Sequence, residues 1–108
     1  MNDQFYIKRG DTLPPLKATI LESDGVTPVN LTGMTVNFAM RDKAGNLILD
    51  RQAEVTDYLN GKVSYEWQSG DTDTAGTMLA EFEASAGSSV FTAPNDGYIK
   101  VVITEDVR

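Results

Sequence analysis

Apolar and polar residues alternate along much of this chain with the period of two that a half-buried strand imposes. The alternation is clearest at residues 62–68, where Val63, Tyr65 and Trp67 point one way while Lys62, Ser64, Glu66 and Gln68 point the other. At residues 78–86 the inward set is Met78, Ala80, Phe82 and Ala84, with Glu81, Glu83 and Ser85 outside; Leu79 interrupts the pattern. Val36, Phe38 and Met40 form a similar row ahead of a turn at residues 42–46, and residues 47–55 return antiparallel as its hairpin partner. Residues 16–23 make another strand, with Leu16, Ala18 and Ile20 inside. In the last strand, residues 98–104, Ile99, Val101 and Ile103 lie opposite Tyr98, Lys100 and Val102, and both faces are too apolar for the pattern to set its direction. Residues 5–8 add an edge strand, and residues 89–92 are placed beside the last strand across Asn95-Asp96-Gly97.

Between these rows stand Asp24-Gly25, Ala44-Gly45-Asn46, Asn60-Gly61, Gly70-Asp71, Ala86-Gly87-Ser88 and Asn95-Asp96-Gly97, all rich in residues that tolerate positive φ. Pro14-Pro15 forbids continuous ladder pairing between the first two strands. No window carries a helical period. Seven or eight short strands at this spacing predict an all-β sandwich or small barrel, with Phe38, Val63, Tyr65, Trp67 and Phe82 as its core anchors. At 108 residues, a single domain over 1–108 is expected.

Charge narrows the partners. Nine basic against 16 acidic side chains give a net charge of −7, and the pair Lys8-Arg9 is too small a cluster to displace counterions from a nucleic acid or to hold an anionic bilayer. No nucleic-acid, membrane or small-molecule partner is expected. The chain has no cysteine, so disulfides, thiolate metal sites and a cysteine nucleophile are excluded. Residues 1–10 are polar and mixed in charge, unlike an export signal, and an unexported chain is expected.

The chemistry available is equally sparse. Without histidine there is no serine–histidine scheme and no histidine zinc site. Glu81 and Glu83 share a strand face about 7 Å apart, which any solvated strand face produces. Residues 71–76 begin like a calcium loop, but Ala75 and Phe82 stand where the fifth and twelfth ligands belong, so a turn capped by Asp and Thr side chains is read instead. Asn30-Leu31-Thr32 matches a glycosylation sequon and is likewise read as a turn. No catalytic, cofactor-binding or metal-binding residue is therefore assigned, and no cofactor. Tyr65, Trp67 and Tyr98 leave one alternative, a carbohydrate-binding module with an aromatic platform, which requires Trp67 to be exposed.

Order and spacing of the turns and strand edges add a resemblance. Arg9-Gly10-Asp11-Thr12-Leu13-Pro14-Pro15-Leu16, Asp24-Gly25, Pro28-Val29-Asn30-Leu31-Thr32-Gly33 and Val36-Asn37-Phe38-Ala39-Met40 resemble the N-terminal domain of phage baseplate upper proteins. Gly61-Lys62-Val63-Ser64-Tyr65-Glu66-Trp67, then Ala80-Glu81-Phe82, Pro94 and Gly97, continue the match along nearly the whole chain. The resemblance implies an immunoglobulin-like antiparallel β-sandwich in a non-enzymatic structural protein of a phage or prophage particle. Such a protein is made in the host bacterial cytoplasm and ends in the virion, holding other phage structural proteins and copies of itself in a symmetric ring. Expected contact segments are residues 5–16 and 98–107, with Phe5, Ile7, Tyr98 and Val102 as candidate contact residues, because these apolar groups exceed what one sandwich core needs.

Overall fold

The computed structural model describes residues 3–95 and 97–107. All of its regular structure is strand: β1 Asp3–Lys8, β2 Leu16–Thr19, β3 Thr35–Arg41, β4 Leu47–Gln52, β5 Glu54–Asp57, β6 Lys62–Tyr65, β7 Gly76–Ala86, β8 Ser89–Ala93 and β9 Ile99–Thr104. One sheet runs β1-β9-β7-β3-β4, with β8 also on β7; the other runs β2-β6-β5. The two enclose one cluster of buried apolar residues, so the fold is an all-β sandwich. Its strand order is that of an immunoglobulin sandwich, a G-F-C-type sheet facing a B-E-D-type sheet.

One side of each strand row lies inward, and in β9, whose direction the pattern left open, it is the side of Ile99, Val101 and Ile103. Val36, Phe38, Met40, Val63, Tyr65, Trp67, Met78, Ala80, Phe82, Ala84, Ile99, Val101 and Ile103 are buried. Phe38 is central: its ring stacks on Tyr65 at 4.5 Å, tilts against Phe82 at 4.9 Å and meets Trp67 edge-on at 5.7 Å. Leu79 is half-buried on the outward side. Ser64, expected on the wet face, is buried because β6 is the middle strand of its sheet and Ser64 sits in register between Lys17 and Glu54.

Four expectations are corrected. The pair β1–β9 is parallel, from Asp3↔Ile99 to Lys8↔Thr104, so the sandwich is not purely antiparallel. Residues 47–55 are not one strand: β4 pairs with β3 and β5 with β6, so the chain changes sheet at Ala53. The Ala53 amide still donates to Val36 at 2.8 Å, and its small side chain lets the bend lie within the core. This crossing divides one expected strand into two. The strand at β2 ends at Thr19, followed by an isolated bridge between Leu21 and Pro28. Finally, β8 pairs with β7 and not with β9. Both lie end to end along one edge of β7, Ala93 opposite Phe82 and Ile99 opposite Ala80, with Pro94, Asn95, Gly97 and Tyr98 between them outside any strand. Asp96 of the turn expected there lies outside the described residues.

Turn chemistry follows the sequence. Asp42 Oδ1 accepts from the Asn46 amide at 2.9 Å in the β3–β4 hairpin, and Asn30 Oδ1 accepts from the Thr32 amide at 3.0 Å, making the sequon an Asx turn. Gly61 has φ of 66°, and a Cβ there would stand 2.6 Å from the Ile20 carbonyl oxygen. Only glycine fits.

Residues 71–76 do more than cap a turn. Asp71, whose side chain is 3% exposed, accepts from Tyr65 Oη, from the Gln68 amide at 2.9 Å and from Arg51 Nη1, which also donates to Tyr65 Oη at 3.0 Å. Buried Thr72 donates to the Asp11 carbonyl at 2.8 Å and accepts from the Gly10 amide at 3.1 Å. Burial, then the bond to Asp71, pushes the Tyr65 hydroxyl up to about 12 against an ordinary 10.0, with Arg51 opposing.

Phe38→Ala is expected to cost about 3–5 kcal/mol by denaturant unfolding, as emptying a central aromatic site does. A cost of about 1 kcal/mol or less would place Phe38 outside the packed centre. Asp71→Ala should cost a similar 3–5 kcal/mol, because it strands the Tyr65 hydroxyl and the Gln68 amide, whereas the exposed Glu83→Ala should stay within about 0.5 kcal/mol. Tyr65 retains its proton in the folded chain after the unfolded chain has released it, so its contribution is complete below about pH 10 and is lost as pH rises through about 12. Between these values the unfolding midpoint of the parent should fall more steeply than that of Tyr65→Phe.

Candidate protein-contact face

One face of the large sheet is covered by the second sheet; among the described residues the other has no layer over it. On the outward face of the large sheet, register sets side chains in rows. Tyr6, Val102 and Thr77 share one row. Gln4, Lys100, Leu79, Arg41 and Leu47 share the next. Then come Glu81, Ala39 and Asp50, followed by Thr92, Glu83, Asn37 and Gln52. Tyr98 enters beside Glu81 from the link between β8 and β9.

Two properties distinguish this face. Its middle is apolar, with Val102, Leu79 and Ala39 half-buried and Tyr6, Leu47 and Tyr98 exposed by 63%, 64% and 39%. A shallow pocket of about 150 Å³ lies among Ala39, Arg41, Leu47, Leu79, Glu81 and Tyr98. The Arg41 guanidinium sits 5.1 Å from the Tyr98 ring centroid, a cation–π contact that holds both side chains over the pocket. Charge is also banded: Lys100 and Arg41 flank Leu79, and one step along β7 Glu81 and Asp50 flank Ala39. Adjacent bands of opposite sign, about 7 Å apart, favour a partner that offers the reverse order.

The candidate contact residues are divided between the two faces of the sheet. Tyr98 and Val102 lie on the outward face. Ile7 is 4% exposed within the chain's own core, and Phe5 is half-buried with its ring 5.8 Å from that of Trp67. β1 is thus a working strand, and its inward residues complete the apolar layer over β9. Tyr6, Leu47 and Arg41, which the pattern of residue types did not single out, join Tyr98 and Val102, and so does Leu79. Leu79 carried a signal, as the apolar residue out of phase in its strand.

The aromatic platform is not present. Trp67 is 4% and Tyr65 2% exposed, so neither offers a ring face to a sugar. Glu81 and Glu83 point outward with Ala39 and Asn37 as neighbours on β3, and no group of three or more potential metal ligands occurs among the described residues.

No curated protein matches the chain. The family model for the BppU N-terminal domain, the N-terminal domain of baseplate upper proteins, matches residues 1–95. The chain belongs to this family. The matched residues of this baseplate upper protein domain take in β1 to β8. The family is one of phage baseplate structural proteins, and it makes the chain a virion component.

The cation–π pair gives a check on the face. Arg41→Ala should free the Tyr98 ring, seen as faster averaging of its NMR ring signals, with the unfolding midpoint nearly unchanged because the pair is worth only about 0.5–1 kcal/mol at an exposed site. Unaltered Tyr98 signals would show that Arg41 does not hold the ring.

Proposed function

We propose that this baseplate upper protein domain is a non-enzymatic adaptor, made in the bacterial cytoplasm and built into the baseplate, that holds neighbouring structural proteins through the outward face of its large sheet. One observation carries the reading: a sheet face with no covering layer combines an apolar centre, two exposed tyrosines and a held arginine with bands of opposite charge. Tyrosine and arginine over apolar ground are the residue types that dominate protein interfaces. Banded charge adds register, because a partner displaced by one row meets like charge. Copies of the domain are the second partner in this reading. Around a baseplate axis a weak contact repeats, and linked weak contacts hold where one alone does not.

Val102→Lys and the double variant Arg41→Glu, Lys100→Glu should melt within a few degrees of the parent, since all three side chains lie outside the buried cluster. Incorporation into particles, measured by quantitative immunoblot of purified virions, should fall at least about tenfold for each, as loss of an interface anchor does. Lys43→Glu, on the exposed β3–β4 hairpin, should be incorporated like the parent. Equal incorporation of all the folded variants would remove this face from the contact.

A further inference from the structure

The sheets end laterally at β1, β4, β2 and β5, with the short β8, paired to β7 alone, adding a fifth edge, and these edges are not equivalent. β4 carries a register shift opposite Met40/Arg41, and β5 carries one between Val55 and Asp57. Such bulges twist an edge away from further pairing. β1 and β2 have unbroken registers. These two regular edges lie on the same side of the molecule, and between them runs a groove of about 350 Å³ whose apolar walls are Phe5, Leu16, Ala18, Leu21, Ala93 and Ile99.

The backbone of β2 shows what this edge can bind. Ile20 donates to the Gly61 carbonyl at 2.8 Å, and Leu16↔Tyr65 and Ala18↔Val63 continue the same register. Leu16 and Ala18 therefore direct their amides and carbonyls toward β6, as Ile20 does its amide while its carbonyl accepts from the Val29 amide at 2.9 Å, and the intervening Lys17 and Thr19 direct theirs outward. Among the described residues no strand lies beyond them. The next outward carbonyl, that of Leu21, already takes a donor, the Asn95 side-chain amide at 3.0 Å. In the immunoglobulin arrangement a further strand occupies this position, beside B in the A-B-E-D sheet.

We propose that the outer edge of β2 accepts an extended strand from a different polypeptide, whose inward side chains fill the groove between β1 and β2 and whose outward side chains are acidic. The acidic character follows from Lys17 of β2 and from Lys62 beside it on β6, which project from the outer face of the small sheet of a chain whose net charge is −7. Opposite charges across a strand pair stabilise it, and like charges do the reverse. A second copy does not fit. Every strand among the described residues is already paired, so a copy has none to donate. Pairing β2 with β2 would bring lysine toward lysine and leave the groove unfilled, since Leu16 and Ile20 belong to their own core. The geometry is strand addition: main-chain bonds give affinity and alternate side chains give selectivity. It lies at the lateral opening between the two sheets and uses the β2 backbone, which the outward face of the large sheet does not include, so either surface can fail alone.

The probe is a capped peptide of about seven residues, the length of an ordinary strand, alternating valine with glutamate. Titrated into the isotope-labelled chain, it should give saturable amide shifts at Lys17 and Thr19 and at Phe5 and Ile99 on the groove walls. The same peptide N-methylated at the residues that pair with β2 should bind at least about tenfold more weakly, the effect of losing one or two backbone hydrogen bonds. Thr19→Pro removes an outward amide and leaves the β6 ladder intact, and should weaken binding by a similar factor. Lys17→Glu, a change at an exposed side chain, should weaken binding several-fold and should be rescued by a valine–lysine peptide. The proposal is overturned by an absence of saturable shifts, by shifts confined to the outward face of the large sheet, or by equal binding of the N-methylated peptide.

Discussion

A carboxylate taken out of water must find a hydrogen bond for each of its oxygens, and Asp71 meets that requirement by drawing three separate stretches of chain together. Arg51 comes from the end of β4 in the large sheet, Tyr65 from β6 in the small one, and the Gln68 amide from the link that leads on to β7. The half-exposed Arg51 leaves the pair partly solvated, which limits the cost of burying its charge. Adjacent Thr72 extends the arrangement to the loop between β1 and β2 through Gly10 and Asp11. One end of the sandwich is therefore closed by polar bonds of fixed direction, and the aromatic stack around Phe38 fills the space beneath them. Packing alone would allow the two sheets to slide; directed bonds to a buried carboxylate do not.

With that end fixed, β7 acts as the spine. It carries β3 along one edge and both β9 and β8 along the other, so the large sheet is wide and its outer face is continuous. The small sheet covers only the inner face. The apolar and banded-charge surface opposite is thus a consequence of making one sheet much larger than the other.

The parts of this arrangement that were legible in the sequence are those governed by neighbours in the chain. Val63-Tyr65-Trp67 and Met78-Ala80-Phe82-Ala84 fall inside because a strand's period of two is a local property, and Asp42 and Asn30 shape their own turns for the same reason. What stayed hidden depends on distant residues. Nothing near Asp71 says that Arg51 and Tyr65 will reach it, and the alternation through residues 47–55 runs on across Ala53 although the chain there passes between sheets. Phe5 and Ile7 looked surplus because the strand they cover, β9, lies at the far end of the sequence. On the candidate face, Tyr98 and Val102 could be picked out from a strand that is apolar on both sides, while Arg41 and Leu47 join them only through the register of three other strands.

The parallel pairing of β1 with β9 also sets how the domain responds to force. Since the two strands run the same way, the start of β1 and the end of β9 lie at opposite ends of their shared ladder. Tension applied between those points pulls along the strands and across their hydrogen bonds, so all of the pairs from Asp3↔Ile99 to Lys8↔Thr104 share the load at once. An antiparallel hairpin pulled from its open end would instead surrender its bonds one after another. Under such tension the ladder shears and does not unzip.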